Sequence, residues 1–405
     1  MNIIGLSDAH DSGAVLISNN KVVVAVNEER FTRRKLDRIF PYNSLNYIFD
    51  YSGLKISDID FFGCGGYSGI DSENSLNQLI KELLSKSNIS KFDESKALER
   101  IKASSNNDNK GRKDFIKNCL KFDIPLNKLF FCDHHKSHAL TAFYPSNFDE
   151  SIILVSDGRG DFKSTSLWKA NRKKGLSHIH TISELNSIGA FYSFMTKALG
   201  FIPHRHEGKT TGLAAQGKYS DLCDLFNKII YFDKTNGEIK CVYGDYYIPF
   251  ISASLPKLNS LLKKFDKKEI AFAAQYILEK VIIDYINWHL NKISKNKKFN
   301  ICLSGGIFAN VKLNYEISNL KSVKSIFVSQ NMGDGGIALG GALYCNNVVR
   351  NKHKIAMPNV YLGPSFNQKE ILSILKKHRY QFQVFSSKKV IDLTTKALSL
   401  GKIVG

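Results

Sequence analysis

Twice along the chain an apolar strand runs into a tight polar turn carrying Asp and Gly and returns as a second strand. This repeat constrains the fold more than any other feature. The first copy is Ile3-Ile4-Gly5-Leu6-Ser7 followed by Gly13-Ala14-Val15-Leu16-Ile17. Asn19-Asn20 then turns the chain into Val22 to Val26, so antiparallel strands open the protein. The second copy is Ile152 to Ser156, the turn Asp157-Gly158-Arg159-Gly160-Asp161 and the return strand Ser164 to Trp168. One hairpin at the start of each half predicts a duplicated α/β architecture.

The remaining pattern fits two halves of that kind. After Phe40-Pro41, the residues Leu45, Ile48 and Phe49 carry helical spacing, and Ile59 to Cys64 reads as a strand. Residues 70–120 are rich in Ser, Asn and Lys and read as a partly helical excursion from the core, with a helix at Leu76 to Leu84. Ile270 to Leu290 spaces its apolar residues by three and four, predicting a long amphipathic helix. It feeds the strand Phe299 to Leu303, the turn Ser304-Gly305-Gly306 and a helix from Ile307 to Leu313. Ile326 to Val328 is a further strand, and Gly333-Asp334-Gly335-Gly336 opens a small-residue helix through Leu343. Met357-Pro358 to Gly363-Pro364 reads as a boundary, which assigns residues 1–350 to one domain and 359–405 to the beginning of another. In the second, helices are expected at Gln368 to Lys377 and Val390 to Leu400, with a strand at Gln381 to Phe385. A chain ending on apolar Lys402-Ile403-Val404-Gly405 reads as one whose natural end lies further on.

With 43% apolar and 23% charged residues in 405, disorder and fibre are excluded. Lys and Arg total 57 against 37 Asp and Glu, a net charge of +20 that would suit an anionic partner. The lysines, however, are strewn through polar stretches such as Lys81 to Lys121 and Lys292 to Lys298. Solvated faces are the better reading, and a nucleic-acid partner is disfavoured. The cysteines form no CxxC pair and are odd in number, 7 in all, so they read as reduced buried thiols of a cytoplasmic protein. Asp8, His10 and Asp11 break the first apolar stretch, which disfavours a signal peptide, and no apolar run reaches the ~18 residues of a membrane span.

His134 and His138 sit four apart at an expected helix start, where their rings share a face and could chelate a divalent metal. Surface histidines would show the same spacing. Asp157 and Asp334, each on a Gly-rich turn, could complete an open metal site or could simply be turn formers. Ser304-Gly305-Gly306, between a strand and a helix, could meet a phosphate or ribose through backbone N–H groups.

Several blocks, in order, carry a resemblance. They are Gly5-Leu6-Ser7 with His10-Asp11-Ser12-Gly13-Ala14, Glu28-Glu29-Arg30-Phe31-Thr32-Arg33, and His134-His135 with Ser137-His138-Ala139. Asp157-Gly158 with Gly160, Glu207 and Lys209 with Gly212-Leu213-Ala214 and Gly217, Ser304-Gly305-Gly306 with Asn310, and Gly333-Asp334 with Gly336 complete the set. Together they resemble the NodU-type O-carbamoyltransferases. That resemblance implies a duplicated actin/Hsp70/sugar-kinase-like (ribonuclease H-like) fold, followed by a YrdC-like α+β domain of which this chain holds the first part. It implies one divalent metal, iron, held by His134, His138, Asp157 and Asp334, with His10 as general base. It places Glu207, Lys209, Ser304, Gly305, Gly306 and Asn310 beside ATP-derived carbamoyl-adenylate. The reaction implied is carbamoyl transfer to a hydroxyl of a small-molecule or glycan acceptor, with self-association left open. Where the family has Gly-Glu-Tyr-Lys, this chain has His206-Glu207-Gly208-Lys209, and Ala215-Gln216 replaces a Pro-Tyr pair. The competing readings are a tRNA threonylcarbamoyl transferase-like enzyme and a non-catalytic nucleotide-binding module.

Overall fold

In a computed structural model, all residues are described except 68–71, 87–88, 245, 250–255, 350–354 and 358. Strand β1 (Asn2–Ser7) is buried at every position from Ile3 onward, as a strand covered on both faces must be. It pairs antiparallel with β2 (Gly13–Ser18), which turns through Asn19 and Asn20, both at positive φ, into edge strand β3 (Lys21–Asn27). A short helix α1 (Glu29–Thr32), helix α2 (Tyr42–Ser52), strand β4 (Phe61–Gly65), helices α3 (Ser72–Leu84) and α4 (Lys91–Lys121), strand β5 (Leu129–Cys132) and helix α5 (His134–Phe143) complete the first half. Its sheet is ordered β3-β2-β1-β4-β5, with β4 and β5 parallel to β1.

The second half repeats this plan. Strands β6 (Glu150–Gly160), β7 (Lys163–Asn171) and β8 (Gly175–Ser183) form the antiparallel part. Helices α6 (Ile188–Ala198), α7 (Glu207–Ala214) and α8 (Asp221–Ile229), the ribbon β9 (Ile230–Asp233) and β10 (Glu238–Cys241), and helices α9 (Pro256–Leu262) and α10 (Lys267–Ile293) follow. Then come β11 (Phe299–Ser304), α11 (Val311–Ser318), β12 (Val323–Val328) and α12 (Ile337–Tyr344). From its hairpin edge the second sheet reads β8-β7-β6-β11-β12, the same order and the same strand directions as the first. The duplicated α/β architecture expected from the paired hairpins is therefore present.

The helix after each sheet's last strand lies in the centre. α12 packs on β1 and β4, α5 packs on β6 and β11, and the two helices pack on each other. This closeness needs small residues: a Cβ at Gly63 would come within 2.0 Å of the Gly341 carbonyl oxygen, and one at Gly340 within 2.6 Å of the Ser137 side chain. The small-residue composition of α12 is thus a packing requirement.

Several elements depart from the sequence reading. β6 runs on through the expected turn, and its pairing with β7 breaks between Ser156 and Gly160, a bulge that turns Asp157 out of the ladder. β8 was not anticipated. The excursion is almost wholly helical among its described residues, and residues 70, 71, 87 and 88 lie outside them. The helix expected from Ile307 is a 3-10 turn at Gly306–Ala309, with α11 starting only after its N-cap Asn310. Compact packing divides the chain after Leu362, within the expected boundary stretch from Met357 to Pro364, whose Pro358 lies outside the described residues.

The second unit, Gly363–Gly405, holds helices α13 (Gln368–Lys377) and α14 (Ser387–Ser399), N-capped by Asn367 and Ser386. Residues 381–385 and 402–405 form no strand, because no partner strand is available among the described residues. Among the described residues no helix is long and apolar enough to cross a membrane.

Candidate metal centre

The two halves deliver four ligand groups to one point. His134 opens α5, whose N-cap Asp133 accepts a hydrogen bond from the Lys136 N–H and so fixes the first turn. His138 follows one turn later. Asp157 is presented by the bulge in β6, and Asp334 stands on the turn that leads into α12, the counterpart of α5.

Asp157 Oδ2 lies 3.3 Å from His134 Nε2 and 3.2 Å from His138 Nε2. Asp334 Oδ1 lies 3.6 Å and 3.5 Å from the same two nitrogens. One ligand atom from each residue falls within 4.8 Å of all the others. Bonds of about 2.0–2.2 Å to a central ion would put adjacent ligand atoms roughly 3 Å apart, so the spacing fits.

The proton arrangement fits as well. The Ser304 hydroxyl donates to the Met332 carbonyl at 3.2 Å, so it can only accept from His138 Nδ1, 3.1 Å away. The tautomer this requires leaves the lone pair on Nε2, and that atom is buried without an aligned hydrogen-bond partner. Asp157 Oδ1 accepts from the Gly158 N–H at 2.9 Å, which leaves Oδ2 for the histidines. Two imidazoles and two carboxylates suit a divalent ion such as iron, manganese or zinc.

Charge pairing shows in the titration of the cluster. Burial opposes protonation of His134, but the Asp334 and Asp157 carboxylates outweigh it and lift its pKa from 6.5 to about 9. Burial likewise opposes ionisation of Asp157, yet the His134 hydrogen bond and the charge of the two imidazoles close by hold its carboxyl well below the usual range. His138 is fully buried, whereas the Asp334 side chain keeps 24% of its exposure, so the cluster opens on that side.

His10 lies on the turn between β1 and β2, the first half's counterpart of the Asp157 bulge. Its ring stands 6.0 Å from that of His204, on the loop before α7. Burial and the Arg38 charge push its pKa down, against the pull of Asp334 and Asp157. His10 is therefore close enough to the cluster to feel the charge of Asp334 and Asp157.

The remaining expected residues fall into two places. Ser304 lies inside the cluster's support, and the Gly305 N–H is taken by the Met332 carbonyl at 2.7 Å. A Cβ on Gly306 would stand 3.3 Å from Asp157 Oδ1, so this glycine borders the site directly. Glu207 accepts from the His204 N–H at 2.6 Å and the Ser193 hydroxyl at 2.9 Å, holding the loop that carries His204. Lys209 is exposed on α7, 3.5 Å from His206 Nδ1. Asn310 is bonded to Gln275 at 2.8 Å and Thr211 at 3.2 Å while capping α11, a knot joining α7, α10 and α11.

Sequence reasoning missed several supporting residues. Asp161 Oδ2 accepts the His134 N–H at 2.6 Å, and Gly160 seats the His134 ring, since a Cβ there would come within 2.2 Å of it. Asn27 reaches across the halves to the Gly335 carbonyl at 3.4 Å. The block beginning at Glu28 is a clamp: the buried Glu28 carboxylate accepts from Asn43 N–H and Nδ2 and from Ser44 N–H and hydroxyl, at 2.6 to 3.0 Å. His135 points elsewhere, 2.8 Å from the Ser166 hydroxyl, and burial pushes its pKa down to about 3.

Comparison with known proteins adds a second line. Residues 2–343 match the family model described as carbamoyltransferase N-terminus. An uncharacterized protein of Synechocystis sp. is 30% identical over 431 residues, covering 100% of this chain and 68% of the relative. Nodulation protein NolNO of Sinorhizobium fredii is 30% identical over 358 residues, covering 88% of this chain and 49% of the relative. The chain thus spans about half to two thirds of the length of these relatives. HypF of T. kodakarensis superposes with a TM-score of 0.46 at 11% identity, covering 85% of this chain and 47% of that one.

Proposed function

The chain belongs to the carbamoyltransferase family, matched through its N-terminal domain, and from that premise we propose that this region transfers a carbamoyl group from carbamoyl-adenylate to a hydroxyl of a sugar or secondary-metabolite acceptor. The observation that carries this reading is the convergence of His134, His138, Asp157 and Asp334, with a buried imidazole nitrogen left bare among them. In this proposal those four residues hold one divalent metal, iron, which when bound polarises the carbamoyl carbonyl and offsets the charge of the departing phosphate.

His10 acts as the general base. The acceptor oxygen forms the new bond to the carbamoyl carbon, and the bond from that carbon to the phosphate oxygen breaks. AMP leaves with the electron pair, and the hydroxyl proton passes to the His10 imidazole. Burial and Arg38 keep that ring neutral and able to take it. Lys209, on the exposed side of α7, contacts the adenylate phosphate, with Glu207 fixing the loop beside it. Gly306 lets the nucleotide approach Asp157, and Ser304, Gly305 and Asn310 shape the turn and helix start behind it. We place the making of carbamoyl-adenylate, from carbamoyl phosphate and ATP, in the YrdC-like domain that the residues after Leu362 begin, and the whole reaction in the cytoplasm.

The test uses purified full chain with supplied carbamoyl-adenylate and candidate glycosides, followed by mass spectrometry. Near one equivalent of divalent metal and a carbamoylated product, both lost in the double variant His138→Ala, Asp334→Ala, are expected. Transfer that survives complete metal removal, or metal-loaded chain that neither transfers nor hydrolyses the adenylate, overturns the proposal.

A further inference from the structure

The sheet does not hold Asp157 in place, because the pairing of β6 with β7 is broken between Ser156 and Gly160. A carboxylate on a bulge keeps a fixed geometry only when other contacts fix the bulge. On the inner side these come from the start of α6. Its N-cap Ser187 donates its hydroxyl to the Gly158 carbonyl at 2.7 Å, with the Asp157 carbonyl 3.2 Å away. Gly189 leaves room for that approach, since a Cβ there would come within 2.5 Å of the Asp157 carbonyl oxygen.

On the outer side one side chain makes the hold, two residues along from Asp157. Arg159 pairs through Nε with the Glu184 carboxylate at 3.1 Å and through Nη2 with Asp108 at 3.2 Å, and its Nη1 donates to the Ser104 hydroxyl. Glu184 directly follows β8, whereas Ser104 and Asp108 lie one turn apart on α4. One guanidinium thus joins the bulge to two separate elements. The planar fork of Arg reaches three partners at once, which the single ammonium of a Lys cannot do. Glu184 is only 1% exposed, so its charge needs the cation beside it.

We propose that Arg159 is a positioning residue of the metal centre. By tying the bulge to Glu184 and to α4 it holds the Asp157 carboxylate against the two imidazoles, and α4, a helix of the excursion, thereby helps to set metal affinity. This assignment rests on the metal-ligand role given to Asp157 in the transfer reading above.

Cobalt(II), titrated into the purified full chain against a chromogenic chelator, tests it, with the visible absorption of the bound ion as a second readout of ligand geometry. Two variants remove the tether while keeping the local charge balance. Arg159→Lys retains the cation beside Glu184, and the pair Arg159→Met, Glu184→Gln leaves no buried charge alone. Both are expected to bind cobalt about tenfold more weakly or worse, with a changed visible spectrum and unchanged far-ultraviolet circular dichroism. In an Asp157→Asn background, Arg159→Lys should change affinity by less than about twofold, because the residue it acts through is gone. Parent-like affinity and spectrum in both variants, or an undiminished loss in the Asp157→Asn background, overturns the proposal. Hydrogen exchange on the metal-free chain separates the two readings. Amides 157–161 are expected to exchange faster in both variants while those of β1 and β11 stay protected, and equal exchange overturns the proposal. A parent chain that takes up no cobalt overturns the metal assignment, and exchange, which needs no metal, then decides the tether alone.

Discussion

Ser304 Oγ stands 3.1 Å from His138 Nδ1 and donates its own hydrogen bond to the Met332 carbonyl, so a strand-end serine dictates which nitrogen of a buried histidine is bare. Removing such a support from a metal ligand typically costs about 10- to 100-fold in affinity. Ser304→Ala is expected to weaken divalent-metal binding by that order while the fold persists, measured by competition with a chromogenic chelator. Unchanged affinity would show that the His138 tautomer is set by something other than Ser304.

Metal and protons compete for the same nitrogens. In the metal-free chain the His134 pKa is raised from 6.5 to about 9, so the ring is protonated at neutral pH and must release its proton to become a ligand. Apparent metal affinity should therefore climb as pH rises toward about 9 and then level, with proton release visible by calorimetry in buffers of different ionisation enthalpy. Stability of the metal-free chain moves the other way. A raised imidazole pKa contributes stability that is complete below 6.5 and lost as pH rises through about 9.

The duplicated core was legible because buried parallel strands and their hairpins are nearly pure apolar runs bounded by Gly and Asn. β8 was not, because its edge position leaves His178, Ser177 and Ile179 exposed and erases the alternation. α4 was understated because its middle, Ser104 to Gly111, is poor in helix formers and is held by contacts such as Arg159 with Asp108. For the site, spacing alone indicated the His134 and His138 pair. Asp157 and Asp334 were singled out as glycine-flanked turns, but their meeting depends on β6 and the turn after β12, both of the second sheet, closing on the helix that follows the first, which no local pattern encodes.

Glu28 illustrates a motif residue whose work is structural. Its carboxylate satisfies four donors at the start of α2, tying the end of β3 to that helix. Glu28→Gln keeps the size but sets an amide NH₂ against donors, leaving a buried mismatch worth about 1–3 kcal/mol. A lower denaturant midpoint with unchanged metal stoichiometry is expected. Loss of metal without loss of stability would instead place Glu28 in the site.

The Gly160 position separates site geometry from fold stability most cleanly. A Cβ there would come within 2.2 Å of the His134 ring, at the end of a strand where the ladder is already interrupted by the bulge. The ring is the softer partner, because the bulge backbone is anchored by β7 while the imidazole can rotate about its own side-chain bonds. Gly160→Ala should therefore displace His134 from Asp157 and Asp334, at a stability cost of about 1–3 kcal/mol for overpacking. Metal binding is expected to fall at least as far as in His134→Ala, with the far-ultraviolet circular dichroism unchanged. By contrast, Gly63→Ala forces its Cβ to 2.0 Å from the Gly341 carbonyl oxygen in the packing of α12 on the first sheet. That variant should lose thermal stability first, and metal only as the chain unfolds. If Gly160→Ala binds metal as the parent does, the His134 ring is not confined by the bulge and the geometry of the centre is looser than its distances indicate.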